Sequence, residues 1–227
     1  MISKNTKIDD IFRQFLYHDK LKFNEIEKKT SIRSNELAYL LKRMISDGVL
    51  TKQDERYLLT PEYEKKIPYF SDSSETSPLP VVLIACVRED NSFLMIKRKK
   101  RPYKDYWSLV GGRIRTSETI RNAALRILKE KTFVDGKFIS VNAVVNEKYG
   151  TKGKIKNSFI LFFTKVKALS AIKEKENLQW FNMAAIKKLM IVPSDLWLLE
   201  NDINSKIEVK EEILEDEDEG MSIKFIK

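Results

Sequence analysis

A chain of 227 residues, 42% of them hydrophobic, is long enough for one or two packed domains. It has no apolar run approaching the ~18 residues of a membrane span and no hydrophobic signal segment in MISKNTKIDD, so a cytoplasmic protein without membrane contact is expected. A formal charge of +9 favours polyanionic partners such as nucleic acid or phosphorylated ligands, although a merely lysine-rich chain gives the same sum. The single cysteine, Cys86, sits in an apolar run and reads as a buried, inert thiol, which excludes a disulfide framework within the chain. The single histidine, His18, lies in a polar, helix-like segment and excludes a His-rich metal site.

Residues 1–70 read as a first domain. Ile8, Ile11, Phe12, Phe15 and Leu16 recur at helical spacing, which predicts an amphipathic helix over Ile8 to Tyr17. A short helix follows from Phe23 through Ile26 to Lys29, then a turn at TSIRS. A longer helix is predicted over Ser34 to Ser46, with Leu37, Leu40, Leu41, Met44 and Ile45 as its apolar face. Ser34 suits its N-cap and Gly48 its terminator. Val49 to Thr51 and Tyr57 to Leu59 read as strands around the polar turn Lys52 to Arg56.

This order, in the segment FNEIEKKTSIRSNELAYLLKRMISDGVL followed by YLLTPEY, resembles prokaryotic winged helix-turn-helix regulators. The resemblance implies that the third helix enters the major groove of double-stranded DNA while the wing touches backbone or minor groove. The candidate DNA-binding residues are then Arg33, Ser34, Asn35, Tyr39, Lys42 and Arg43, with Lys52 and Arg56 on the wing. Arg and Asn read base edges in bidentate fashion, whereas Lys mostly binds phosphates. The same positions suit an ordinary solvated helix face on a protein-contact or dimerisation module. Asp9, Asp10, Glu25, Glu27 and Glu36 keep the domain only mildly basic.

Residues 71–79, SDSSETSPL, are polar and without periodicity, hence a linker. The second domain is placed at residues 80–205. Val81 to Val87 is a continuous apolar run and reads as a buried strand, followed by the turn Glu89-Asp90-Asn91 and a strand over Phe93 to Lys97. The basic run Lys97 to Arg101 breaks into a loop ending at Tyr106-Trp107-Ser108-Leu109. Arg98 and Arg101 suit ligand phosphates through planar bidentate contacts, or a solvated strand edge. Trp107 reads as core.

The next stretch, GGRIRTSETIRNAALRILKEK from Gly111 to Lys131, resembles the signature of the Nudix family, G-x5-E-x7-R-E-U-x-E-E-x-G-U with U apolar. Gly112, Glu118, Arg126, Leu128, Glu130 and Val134 fall on the pattern; Ile127, Lys131 and Phe133 stand where the family has Glu, Glu and Gly. The resemblance implies hydrolysis of a diphosphate linked to a nucleoside or other group, with Mg²⁺ or Mn²⁺ held by carboxylates one helical turn apart. Glu118 and Glu130 remain as catalytic remnants and weak metal ligands, to be helped by Glu147, Glu174 or Glu176 if any activity survives. Ile127 offers no oxygen, and Lys131 puts a cation where a cation should bind. Efficient hydrolysis is therefore not expected, and no cofactor is assigned beyond Mg or Mn in the event of residual activity.

After the box, Phe138 to Val145 and Ser158 to Val166 read as strands around a hairpin tip at Lys148 to Asn157. Gln179-Trp180-Phe181 opens the helical segment MAAIKKLM, and Pro193 to Leu199 reads as the last helix. Residues 206–227 form an acidic extension in which Ile207 to Leu214 and Met221 to Ile226 pair around Glu215 to Glu219. The expected fold is thus α+β: a winged helix-turn-helix domain followed by a Nudix α/β/α sandwich with a mixed sheet. The whole resembles the Nudix-related transcriptional regulators, which implies a homodimer and a nucleotide or nucleotide-sugar ligand bound by Arg98, Arg101, Gly111, Gly112 and Arg126 without efficient turnover. A metal-dependent hydrolase with an accessory winged helix and a non-catalytic interaction scaffold remain the alternatives.

Overall fold

The computed structural model describes residues 6–66, 77–100, 102–170, 174–217 and 220–226. Arg101, most of the segment read as a linker, and the tip of the acidic hairpin lie outside them. The chain divides into two compact units, residues 1–77 and 78–227. Among the described residues no helix is long and apolar enough to cross a membrane.

In the first unit, helix α1 (Thr6–Gln14) stops short of the expected Tyr17. Phe15 N–H bonds the Phe12 carbonyl at 2.9 Å and Leu16 N–H the Arg13 carbonyl at 3.1 Å, so the chain tightens into three-residue turns. His18 consequently lies beyond the helix. The two-residue strand β1 (Leu21–Lys22) runs into α2 (Phe23–Thr30), whose start is held by the Lys22 amide donating to Glu25 Oε2 at 2.6 Å. Helix α3 (Ser34–Ser46) follows. Ser34 is its first residue and not its cap; Arg33 takes the cap position, and the Ser34 hydroxyl donates to Glu27 instead. Leu37, Leu40, Leu41 and Met44 are buried, but Ile45 is 38% exposed, being rotated about 100° around the helix from Met44.

Strands β2 (Leu50–Gln53) and β3 (Arg56–Leu59) complete a three-stranded sheet in the order β1-β3-β2. Their turn contracts to Asp54-Glu55, both at positive φ (45° and 65°), the hand that matches strand twist. A four-residue helix, α4 (Pro61–Glu64), ends the described part. Ile11, Phe12, Ile26, Leu37, Leu41, Met44 and Leu50 form one core; each such side chain contributes ~1.5–3 kcal/mol on burial.

The second unit is built on β4 (Leu79–Val87), β5 (Phe93–Lys97), β6 (Trp107–Arg113), α5 (Ile120–Thr132), β7 (Gly136–Thr151), β8 (Lys154–Ala168), β9 (Leu178–Phe181), α6 (Met183–Ile186) and α7 (Pro193–Asn201). A six-stranded mixed sheet runs β7-β8-β4-β6-β5-β9, with β4 parallel to β8 and antiparallel to β6. The unbroken apolar run in β4 follows from burial on both faces. Val82, Ile84 and Cys86 pack with α5, whereas Leu83 and Ala85 pack with Ile186, Leu198 and Leu199 of α6 and α7. Helices thus cover both sides of the sheet. Trp107 is half-buried against Phe181, ring centroids 5.1 Å apart.

Three expectations shift. Strand β6 begins at Trp107, inside the stretch expected to end a loop, and carries Gly111 and Gly112 opposite Leu83 and Val82. The hairpin tip expected over Lys148 to Asn157 shrinks to Lys152-Gly153, both at positive φ, because the polar residues flanking it stay paired in a ribbon solvated on both sides. In the extension, β10 (Glu211–Glu217) pairs with β11 (Gly220–Ile226), and Ile207 instead bridges Val141 at the edge strand.

Candidate functional site

Strand β6 delivers Gly111-Gly112-Arg113 to the start of a short loop, residues 114–119, that leads into α5. The Thr119 hydroxyl accepts the Asn122 amide at 3.1 Å, and Glu211 Oε1 accepts the Ile120 amide at 2.7 Å. Two of the open N–H groups of the helix are thereby satisfied. Ala123, Ala124, Ile127 and Leu128 turn to the sheet, while Leu125 is only partly buried. At the other end Phe133 caps the helix at φ 64°, ψ 9°, the left-handed conformation that glycine usually supplies.

On the solvent side of this helix the remnant acids are tied up by arginines. Arg126 donates Nε and Nη2 to the two oxygens of Glu118, Nη2 also to the Arg113 carbonyl at 3.1 Å, and Nη1 to Glu130 Oε2 at 2.9 Å. Arg115 Nη2 reaches Glu130 Oε1 at 3.2 Å. The Arg126 hydrogen bonds, with the Arg115 amide and both guanidinium charges, hold the Glu118 carboxyl down at about 2. Arg126, expected to contact ligand, is a clamp on these acids.

The replaced positions face the strand. Ile127 is 2% exposed, and a Cβ added to Gly112 would meet its side chain at 3.1 Å, so it fills the space left by the glycine. One turn later the Lys131 ammonium donates to the Gly111 carbonyl. Burial first, then the charge of Arg98, holds this lysine below the usual ammonium range.

A cavity of about 200 Å³ opens beside it, lined by Arg98, Gly111, Gly112, Arg113 and Lys131 and, on another wall, by Tyr103, Glu147 and Asp195. Arg98 is anchored by Nε donating to the Pro102 carbonyl at 3.0 Å. Asp195 stands in the first turn of α7 and accepts the Leu109 amide at 2.7 Å, joining that helix to β6. It is 3% exposed, and burial pushes its carboxyl up to about 7; the Leu109 amide opposes this and the charge of Glu147 adds to it. Glu147 accepts the Tyr103 hydroxyl at 3.1 Å and the Ser194 hydroxyl. Burial, then Glu147, pushes the Tyr103 phenol above its usual range.

A family model for the NUDIX domain matches residues 77–200 of this sequence. The chain belongs to the Nudix family. Over 52 residues it is 38% identical to the ADP-ribose pyrophosphatase of Methanocaldococcus jannaschii, a stretch covering 23% of this chain and 31% of that protein. It therefore spans about a third of the length of that curated relative. Among solved structures it is similar to a MutT NUDIX hydrolase from Burkholderia pseudomallei (22% identity, TM-score 0.48, 55% of this chain and 97% of that one). It is also similar to the NUDIX domain of Shewanella oneidensis NrtR complexed with ADP ribose (18% identity, TM-score 0.46, 63% and 96%).

Nudix chemistry uses a divalent ion held by box carboxylates, and the residues of this Nudix domain do not fit one. Of the box-helix acids only Glu130 is present, and it is shared between Arg115 and Arg126. Lys131 sets an ammonium on the strand carbonyl, opposing a nearby cation by roughly 1–4 kcal/mol per unit charge at close contact. Glu147 lies in the cavity, but Glu174 and Glu176 are solvent-exposed. Among the described residues no group of three or more His, Cys, Asp or Glu is placed to hold a metal. Cys86 is fully buried, and burial pushes its thiol up to about 12, which makes it inert.

The sequence did not single out Asp195 or Tyr103. An acid inside the apolar segment IVPSDLWLL was the available signal for Asp195, masked by its ordinary look as a helix-start residue. In the first unit, Arg33, Ser34, Asn35, Tyr39, Lys42 and Arg43 are all exposed on or beside α3, Tyr39 by 65%. Arg43 lies 3.6 Å from Asp47; on the β2–β3 hairpin, Lys52 pairs with Glu55 at 3.0 Å and Arg56 is half-buried.

Proposed function

We propose that the chain is a DNA-binding transcriptional regulator whose Nudix domain senses a nucleotide or nucleotide-sugar ligand without efficient hydrolysis. The observation that carries the sensing half is the Lys131 ammonium on the Gly111 carbonyl, with Glu118 and Glu130 clamped by Arg126. A Nudix domain with a cavity lined by cations but without a metal-ligand set is suited to bind without turnover. The other half rests on the first unit, whose order of three helices and a tight β-hairpin supports a winged helix-turn-helix reading. Its longest helix presents Arg33, Asn35, Tyr39 and Lys42 to solvent, suited to base edges and phosphates. In this reading a homodimer places two such helices on half-sites about one helical turn apart, and ligand shifts the population toward one placement.

ADP-ribose is the first ligand to test, since the curated relative acts on it by name. That same match favours the second reading, a metal-dependent hydrolase with an accessory domain. Selection from genomic DNA, with and without ADP-ribose, is expected to enrich paired half-sites with ligand-dependent affinity, while ADP-ribose with Mn²⁺ yields no appreciable product. Turnover at ordinary enzyme rates without any DNA enrichment overturns the reading in favour of the hydrolase.

A further inference from the structure

The cavity of the Nudix domain carries an electrostatic imbalance. Lys131 and Arg98 line the same cavity, where burial and then the charge of Arg98 hold the lysine low and Glu130 opposes this, and Arg98 also acts on Asp195; among the described residues neither cation forms an ion pair. The two carboxylates in the same cavity are engaged by neutral donors: Asp195 by the Leu109 amide, Glu147 by the hydroxyls of Tyr103 and Ser194. Lys131 spends one N–H on Gly111 and Arg98 spends Nε on Pro102, leaving charge and donors directed at the open space. Two cations that line one cavity without a direct ion pair of their own favour an anion placed between them. The space itself, about 200 Å³, admits a phosphate-bearing group and not a whole nucleotide. Adjoining it is an open cleft of about 740 Å³ that shares Pro102 and Tyr103 and adds Tyr106, Tyr149 and Lys156, an aromatic lining suited to the face of a base.

We propose that Lys131 stands in for the divalent cation, so that this site holds the phosphates of a nucleoside diphosphate derivative without metal, between Lys131 and Arg98, with its base in the tyrosine-lined cleft. The inference rests on the sensing role proposed above and assigns its ion requirement. A fixed ammonium neutralises phosphate as a metal does, but it carries no activated water, so binding is uncoupled from hydrolysis.

Calorimetric titration of the full chain with ADP-ribose, in EDTA and separately in Mn²⁺, tests this. The unaltered protein is expected to bind equally in both. Lys131→Glu is expected to lose roughly 10- to 100-fold in EDTA and to recover affinity when Mn²⁺ is added. Lys131→Met, which removes the charge while leaving the side-chain volume, is expected to lose as much in EDTA without recovery, and circular dichroism melting checks that both variants fold. Tyr149→Ala is expected to weaken ADP-ribose while leaving inorganic pyrophosphate unaffected. Binding by the unaltered protein that needs Mn²⁺ overturns the inference and leaves the sensing role standing, as does unaltered affinity of Lys131→Met in EDTA. Failure to bind ADP-ribose, NAD or ADP in either buffer sinks the nucleotide-sensing role itself.

Discussion

Phe133 sits at φ 64° and is 71% exposed, so its backbone bears the cost of a left-handed position while the residue buries little. A non-glycine residue there costs roughly 1–2 kcal/mol, partly offset by the greater chain entropy of glycine in the unfolded state. Phe133→Gly is therefore expected to stabilise the second unit by up to ~1 kcal/mol in chemical denaturation; a lower midpoint would show that the ring contributes more than its exposure suggests. Asp195 gives a pH-dependent expectation. Its carboxyl titrates near 7 when folded against an ordinary 3.8, so between those values the folded chain keeps a proton that the unfolded chain has released. Stability contributed by this group thus falls as pH rises from about 4 to 7 and is level above that. Asp195→Asn, which keeps an acceptor for the Leu109 amide, should flatten that slope and raise stability at pH 8 by on the order of 4 kcal/mol at most. An unchanged pH profile of unfolding would place the titration elsewhere.

At the scale of elements, the box helix shows what spacing encodes and what it does not. Gly112, Glu118, Arg126 and Leu128 made the helix legible, because the periodicity that buries Ala124 and Leu128 is the periodicity of the chain itself. The seat of Lys131 on the Gly111 carbonyl joins residues 20 apart and depends on how α5 crosses β6, which no local pattern specifies. Asp195 enters the cavity for a similar reason, carried in by α7 against a strand 86 residues earlier. Ile127→Glu with Lys131→Glu would recreate two acids on the inward face, but Ile127 is core. The double variant should lose roughly 2–5 kcal/mol without metal and regain part of it with Mn²⁺, readable as an ion-dependent melting shift. A variant whose melting ignores Mn²⁺ would mean that positions 127 and 131 do not converge on one ion. Under the proposed DNA-binding role of α3, Asn35→Ala should relax base preference at a cost of ~1–3 kcal/mol, whereas Lys42→Ala should weaken every DNA sequence alike and reduce the salt slope by about one. Equal, sequence-independent losses in both would remove Asn35 from base reading.

Over the whole molecule, the division into two units separates two kinds of chemistry, a helix face turned to solvent and a cavity lined by charge. In composition, apolar periodicity fades in the serine-rich stretch before Pro78 and resumes as an unbroken run after it. Less readable was the reach of the extension, where Glu211 caps α5 and Val209 packs against the core. The acidic tail is in part a structural component of the domain.

The parallel pairing of β4 with β8 has a consequence in time. Val82 lies opposite Phe162, roughly 80 positions later, so the middle of the sheet cannot close until more than half of the second unit exists. At about 5–20 residues per second of synthesis, the apolar run in β4 waits some 4–16 s for its partner. The first unit has a shorter delay, since β2 and β3 meet through a turn of two residues and β1 reaches β3 with Leu21 opposite Tyr57, 36 positions apart. Refolding from denaturant should accordingly show a fast phase from residues 1–77 and a slower one from residues 78–227, and the interval between them is when this protein is most exposed to misassembly.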